Sequence, residues 1–153
     1  VEHLRSMGAF IECKEGGVVA MPSHLFGTEL DCTDTPDLVP VLAVAAAVAQ
    51  GTTVFTGVGR LRFKESDRLA AMKSVLASFG ITSSVGEDTF TVYDGDPVAL
   101  TTVESFGDHR IAMSAAILST VAKEITTISG SGCVAKSYPS FFEDFASLGG
   151  VVD

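Results

Sequence analysis

The sequence predicts an α/β (α+β) fold built on a βαβαββ unit that is partly repeated. Helical and strand patterns alternate along the chain, Gly or Asp stands at the joints, and two helical patterns are almost wholly apolar. A helix that is apolar nearly all round is normally buried. The βαβαββ order is complete once, over about 25–94, and begins again near residue 98, which indicates a weak internal repeat of structure.

The complete unit is bounded by turn and cap residues. Gly16-Gly17 separates two short strand-like runs, which predicts a hairpin after the helical opening of the chain. Asp37 precedes an uncharged run that has Pro40 in its first turn and ends at Gly51, so Asp37 is predicted to be a helix N-cap. The predicted elements are strands 9–13, 18–21 and 25–33, helix 38–50, strand 52–57, helix 64–79, and strands 81–86 and 90–94.

The remainder of the chain begins a second unit. Its first helix is apolar nearly all round and has Asp108 as a good N-cap. Its second helix has Pro139 near its first turn, where proline is favoured. The predicted elements are a strand near 98–103, a helix from about 108 to 122, strand 125–129, helix 138–148 and strand 150–153.

The charge of the chain bears on the kind of ligand that it binds. The formal net charge is −9, whereas a nucleic-acid binder normally presents a basic surface, so that class is disfavoured. Four basic residues nevertheless fall in one stretch, namely Arg60, Arg62, Lys64 and Arg68. A local basic patch in an acidic chain suits a small anionic substrate better than a polymer.

Composition also indicates a cytoplasmic protein. Cys13, Cys32 and Cys133 lack metal-ligand spacing and are predicted to be reduced thiols, so no metal site is expected. No apolar run is long enough to span a membrane, and no secretory signal opens the chain. The chain begins within a helical pattern, and we therefore expect a piece of a longer protein.

Charged residues interrupt the core face of the predicted helix at 64–79. Lys64, Glu65 and Arg68 project onto the same side as its apolar stripe. A solvated helix start with a local ion pair would explain them, and so would a substrate site at the open end of the core. The apolar stripe consists of Leu69, Met72, Val75, Leu76 and Phe79.

Two further sites of positive charge lie at helix starts. Arg110 projects into the apolar arc of its helix, where a charge needs a partner or a ligand. A bound anion would satisfy it together with the backbone N–H groups of the helix start. His109 fits a structural role as well as a ligand role. Lys136 follows a loop of small residues, and either an ordinary exposed lysine or an anion contact fits it.

Four segments, in order and in register, resemble the EPSP synthase family of enolpyruvyl transferases. LRFKESDRLAAMKSVLASFGI (61–81) resembles the motif around Lys-Glu-Ser/Thr-Asp-Arg, and GDHRIAMSAAI (107–117) resembles the Asp-His-Arg motif. AKSYPSFFEDFASLGG (135–150) is similar to the C-terminal segment, and TPDLVPVLAVAAAVAQGTT (35–53) to the segment that carries the catalytic aspartate. One short motif could arise by chance, but four in register identify a family.

The resemblance implies a fold and a reaction. The family has two domains of repeated βαβαββ units, with buried helices surrounded by sheets in an inside-out, barrel-like arrangement. The chain, 1–153, would be a C-terminal part that lacks the N-terminal domain and is inactive alone. Members transfer the carboxyvinyl group of phosphoenolpyruvate to the 5-hydroxyl of shikimate 3-phosphate, in aromatic amino acid biosynthesis, without a cofactor or metal. They are the target of glyphosate.

The resemblance also implies roles for individual residues. Asp37 and Glu65 would be the carboxylates of proton transfer, and which of them acts on the hydroxyl stays open. Lys64 and Asp37 would contact shikimate 3-phosphate. Some members carry Asn where Arg60 aligns, so the contact made by that Asn is not carried over. The phosphoenolpyruvate contacts would be Arg68, His109, Arg110 and Lys136.

Two alternative functions remain beside this one. The sister enolpyruvyl transferase that acts on UDP-N-acetylglucosamine shares the fold, although the Lys-Glu-Ser-Asp-Arg and Asp-His-Arg-Ile-Ala-Met runs favour the shikimate enzyme. The chain could also be a non-catalytic half-domain that binds anions weakly. The expected partners are thus two small anionic substrates and a missing N-terminal domain, with neither nucleic acid nor membrane.

Overall fold

A helix and an antiparallel hairpin open the computed structural model, which describes residues 1–98 and 102–153. Helix α1 (Glu2–Ser6) leads into strands β1 (Phe10–Lys14) and β2 (Gly17–Met21), which pair antiparallel. Gly16 forms the turn with a φ of 83°, a value that glycine adopts without strain. The hairpin predicted around Gly16-Gly17 is therefore confirmed.

A four-stranded sheet carries the complete βαβαββ unit. Its strands are β3 (Glu29–Asp31), β4 (Thr52–Thr56), β5 (Ser83–Val85) and β6 (Thr89–Tyr93), in the spatial order β3-β4-β6-β5. Helix α2 (Val39–Val48) joins the parallel pair β3 and β4, and α3 (Arg68–Ser78) joins β4 to β5. Strand β6 is antiparallel to both of its neighbours. This order confirms the unit predicted over about 25–94.

The second unit repeats the strand, helix, strand and helix with which the complete unit begins. Strands β7 (Val103–Glu104) and β8 (Ile128–Ser129) are parallel and are joined by α4 (His109–Ser119), and α5 (Phe141–Ser147) follows β8. In both units a 3₁₀ turn lies between the second strand and the second helix. These turns span Gly59–Phe63 and Ser131–Lys136. The predicted internal repeat is thus present in the described residues.

The strand predicted near 98–103 falls partly outside the described residues, and β7 begins only at Val103. The strand predicted at 150–153 is wrong, because those residues are not in a strand. Extended backbone becomes a strand only when a neighbour supplies ladder hydrogen bonds, and no described strand pairs with this segment.

The starts of two helices also differ from prediction. The helix predicted from residue 64 begins at Arg68, because Asp67 caps it by accepting a hydrogen bond from the Ala70 N–H at 3.0 Å. The predicted N-cap role of Asp37 is wrong. Asp37 lies inside a 3₁₀ turn, Pro36–Leu38, that continues directly into α2, and no side chain caps that helix.

The core lies between the helices and the four-stranded sheet. Helices α2 and α4 pack against each other, and α3 packs against both. Phe55 of β4 and Phe90 of β6 are fully buried, with ring centroids 6.2 Å apart. The predicted apolar stripe of α3 is buried throughout. The buried helices therefore hold their first turns in fixed positions, which matters because the charged residues lie there.

Among the described residues, no helix combines the length and the apolarity that a membrane crossing requires.

The Asp67 cap gives a testable prediction for the start of α3. Replacing Asp67 with alanine is expected to lower the free energy of unfolding by about 1 kcal/mol, because the Ala70 N–H loses its acceptor. Urea unfolding of the chain would measure the loss. Asp67→Asn is the matched control, since asparagine caps equally well. Equal losses in both variants would contradict the capping role.

Candidate active site

Charged side chains converge where the helices of both units begin. They come from the 3₁₀ turn before α2, the segment before α3, the start of α4 and the 3₁₀ turn before α5. Each makes at least one ion-pair contact with another member of the group. The group contains all the site residues singled out in the sequence, Asp37, Lys64, Glu65, Arg68, His109, Arg110 and Lys136.

Asp37 is surrounded by three cations. Its carboxylate lies 2.8 Å from Arg68 Nη1, 3.3 Å from Lys64 Nζ and 3.4 Å from Arg110 Nη2. The Arg110 Nη1 also donates to the Asp37 backbone carbonyl at 3.1 Å. Burial raises the pKa of Asp37, but Arg110, Lys64 and Arg68 together outweigh it, so the pKa lies below its ordinary value. Asp37 is therefore ionised at neutral pH and can accept a proton.

Glu65 is the second carboxylate of the cluster. Lys136 Nζ donates to its Oε1, and Arg68 Nη2 lies 3.4 Å from its Oε2. The hydrogen bond from Lys136 is the main cause that lowers the pKa of Glu65, against the effect of burial. His109 Nδ1 lies 2.9 Å from Oε2, but the contact is not aligned as a hydrogen bond, and this buried nitrogen has no hydrogen-bond partner among the described residues.

Arg68 joins both carboxylates to a third, Asp108. The Arg68 side chain is only 4% exposed and that of Asp108 is fully buried. Arg68 Nε donates to Asp108 Oδ2 at 2.7 Å, and Nη2 lies 3.4 Å from Oδ1. Burial raises the pKa of Asp108, but its hydrogen bonds with Arg68 and the Arg110 N–H outweigh this, so its pKa is lowered. The pair is therefore an ionised, buried salt bridge.

Sequence reasoning gave Asp108 only its N-cap role, which the structure confirms through the Arg110 N–H at 3.0 Å. It did not anticipate the contact with Arg68. Two signals were available, because the sequence placed Arg68 on a core face and Asp108 at the start of a buried helix. Each charge needed a buried partner of the opposite sign.

The basic patch predicted at 60–68 does not form as one cluster. Arg60 Nη2 donates to the Thr33 carbonyl, and Arg62 Nη2 donates to the Gly86 carbonyl. Both therefore turn to neighbouring loops. Of the four residues of the patch, Lys64 and Arg68 reach the site, where both contact Asp37.

Three of the neighbouring side chains have the spacing of metal ligands. Among the described residues, ligand atoms of Glu65, Asp108 and His109 lie within 4.8 Å of one another. The guanidinium of Arg68 already contacts both carboxylates, and a metal ion there would meet its positive charge. The site therefore suits an anion that is held by cations better than a metal ion.

A small cavity adjoins the cluster. Its volume is about 240 Å³, and it lies between α2 and α4, with Asp37 and Arg110 in its wall. Its remaining walls include Val41, Met113 and Phe141. A larger groove of about 780 Å³ runs along the end of α4 and α5 and contains none of the clustered charges. Of these two cavities, the smaller is therefore the one that charged residues of the cluster line.

Comparison with known proteins gives the family. The family model for EPSP synthase (3-phosphoshikimate 1-carboxyvinyltransferase) matches residues 1–145. A 3-phosphoshikimate 1-carboxyvinyltransferase of Clostridium kluyveri is 44% identical over all of this chain and 36% of its own length. One of Methanopyrus kandleri is 42% identical over 97% of this chain and 35% of its own.

Comparison with solved structures shows the same fold. An EPSP synthase from Acinetobacter baumannii superposes with a TM-score of 0.82 at 32% identity, over 99% of this chain and 39% of that one. The enolpyruvyl transferase NikO from Streptomyces tendae, at 23% identity and a TM-score of 0.80, shows the shared fold, over 98% of this chain and 34% of that one. The predicted fold class is confirmed.

The chain spans about a third of the length of the curated relatives that it matches. Within that span, the family model covers nearly the whole chain. The chain belongs to the EPSP synthase family.

Proposed function

We propose that this chain is the C-terminal part of a cytoplasmic 3-phosphoshikimate 1-carboxyvinyltransferase, and that it supplies the proton-transfer groups and most of the phosphoenolpyruvate contacts. The observation that carries the proposal is the convergence of Asp37, Glu65, Arg68, Arg110 and Lys136 from four separate segments. The N-terminal domain would supply the other face of the site and remaining substrate contacts.

The cation arrangement supports binding of phosphoenolpyruvate. This substrate carries a phosphate and a carboxylate, so it needs several fixed cations. Arg68, Arg110 and Lys136 are held by Asp37 and Glu65, which keep them within one small region when no ligand is bound. A substrate anion would replace some of these pairs, and the cations would need little reorganisation.

The two carboxylates support the proton transfers. In the proposed addition, the 5-hydroxyl oxygen of shikimate 3-phosphate bonds to C2 of phosphoenolpyruvate and its proton goes to one carboxylate. C3 gains a proton from the other carboxyl group, which takes that proton up when the anionic substrates bind. The resulting tetrahedral intermediate then loses the C3 proton as the C2–O bond to phosphate breaks. Asp37 and Glu65 are both ionised in the free site because their pKa values are lowered, so either can be the base.

The proposal is tested with a completed protein. We define this as the present chain joined to the part of the Clostridium kluyveri relative that it does not match. The completed protein is expected to release phosphate only when both phosphoenolpyruvate and shikimate 3-phosphate are present, and the chain alone is expected to be inactive. Turnover with UDP-N-acetylglucosamine as the acceptor instead, or no turnover with either acceptor, would overturn the proposal.

Arg110 gives a specific prediction about the two substrates. Replacing Arg110 with alanine in the completed protein is expected to weaken phosphoenolpyruvate binding by about tenfold or more, because a charge-assisted contact is lost. Binding of shikimate 3-phosphate should change by less than about threefold, a shift of well under 1 kcal/mol. Isothermal titration with each ligand would measure both constants.

The control for this variant is Arg5→Ala, because Arg5 pairs with Glu2 and the Ile11 carbonyl, outside the cluster. It should leave both constants unchanged. Equal weakening of the two ligands by Arg110→Ala would count against the assigned role.

A further inference from the structure

Asp108 is the buried centre of the cluster. Its side chain is fully buried. Oδ1 accepts from the Arg110 N–H at 3.0 Å, and Oδ2 accepts from Arg68 Nε at 2.7 Å and Ser66 Oγ at 3.1 Å. One carboxylate thus joins the start of α4, the start of α3 and the segment that precedes α3.

The contact with Nε fixes how Arg68 presents its remaining donors. A guanidinium is planar, so a hydrogen bond at Nε sets the plane in which Nη1 and Nη2 lie. Nη1 then reaches Asp37 at 2.8 Å, and Nη2 lies 3.4 Å from Glu65. Without Asp108, these two carboxylates would be the only acidic partners left for Arg68 among those that it contacts.

The same carboxylate also holds the backbone at Arg110, in the first turn of α4. Asp108 caps α4 through the backbone N–H of Arg110, while its other oxygen holds Arg68. One buried carboxylate therefore connects the Arg68 guanidinium to the backbone at Arg110. Such preset geometry lowers the cost of binding an anion between them.

We propose that Asp108 is a positioning residue for the phosphoenolpyruvate site, which it serves by fixing the Arg68 guanidinium relative to Arg110. It also satisfies the buried Nε of Arg68, so the charge of Arg68 does not depend on Asp37 and Glu65 alone. This inference rests on the function proposed above. Because its side chain is fully buried, Asp108 is assigned no contact with substrate or with a reacting atom.

The test uses Asp108→Asn, which keeps the size of the side chain and the helix cap but removes the charge that holds Arg68. Asp67→Asn is the matched control, because it makes the same change at the cap of α3, one residue from Arg68. In the completed protein, Asp108→Asn is expected to raise KM for phosphoenolpyruvate about tenfold or more. Its KM for shikimate 3-phosphate and both KM values of Asp67→Asn should change by less than about twofold.

A second measurement follows Arg68 directly in the 153-residue chain. The Nε–H signal of Arg68 in a ¹H–¹⁵N spectrum should be protected from exchange with water, because this group is buried and hydrogen-bonded. The protection should disappear in Asp108→Asn and persist in Asp67→Asn. A purely structural cap would leave it in place in both variants.

The outcomes separate this inference from the proposed function. Unchanged KM for phosphoenolpyruvate in Asp108→Asn, or an equal rise in both asparagine variants, would overturn the positioning role. Loss of the Arg68 signal protection in both variants would also overturn it. A completed protein that never turns over phosphoenolpyruvate with shikimate 3-phosphate would overturn the proposed function, while the Arg68 signal would still report whether Asp108 fixes that side chain.

Discussion

Replacing Glu65 with glutamine in the completed protein is expected to lower kcat by a factor of about 10² to 10⁴, the usual contribution of a general acid or base. Glutamine keeps the shape of the side chain and can still accept a hydrogen bond from Lys136, but it cannot take a proton. The binding of substrates should therefore change less than the rate. Steady-state assay of phosphate release measures both.

Glu29→Gln is the control for this change, because Glu29 is exposed on β3. It should retain full activity. A Glu65→Gln protein with an unchanged kcat would remove Glu65 from the proposed chemistry.

Asp37→Asn, measured beside Glu65→Gln, separates the roles of the two carboxylates. A base must be deprotonated, so kcat/KM falls as pH drops through its pKa, which is lowered for both groups. The variant that lacks the base should lose this acidic limb of the profile. If both variants kept the limb, neither carboxylate would be the base.

Replacing Arg68 with methionine is expected to lower the free energy of unfolding by about 3–5 kcal/mol, the cost of breaking a buried ion pair from one side. Methionine retains much of the bulk, so the loss comes chiefly from Asp108, which would be left buried without its cation. Urea unfolding of the chain measures the effect. Phosphoenolpyruvate turnover should also be lost in the completed protein.

The double variant Arg68→Met with Asp108→Asn tests the cause of that loss. Removing the unpaired buried charge should restore part of the stability, so the two substitutions together should cost less than the sum of the separate costs. Additive losses would show that the pair is not coupled. Activity should stay low in the double variant, because the cation is still missing.

Much of the fold followed from local sequence patterns. The stripe from Leu69 to Phe79 predicted the buried face of α3 because a helix repeats every 3.6 residues. Helix starts were less predictable. The helical pattern of the sequence includes residues 64–67, but α3 begins only at Arg68 because the Asp67 side chain caps it. The strand at 150–153 failed because strand formation depends on a neighbour that a local pattern does not contain.

Which residues belong to the site could be predicted from the sequence, but which of them contact one another could not. Lys64, Glu65, Arg68, Arg110 and Lys136 were singled out by charges on apolar faces, by helix starts and by the family resemblance. Their mutual contacts depend on how α3 and α4 pack, which no single segment encodes. For the same reason, Arg60 looked like a member of the patch, yet its guanidinium reaches the Thr33 carbonyl.

The first helices of the two units meet through a pair of opposite charges. Asp37 lies just before α2, and Arg110, in the first turn of α4, lies 3.4 Å from its carboxylate. Asp108, the acid that caps α4, is in turn paired with Arg68 at the start of α3. A charge lost at one helix start therefore leaves an opposite charge without its partner at another, so substitutions at these three helix starts are expected to be coupled rather than independent.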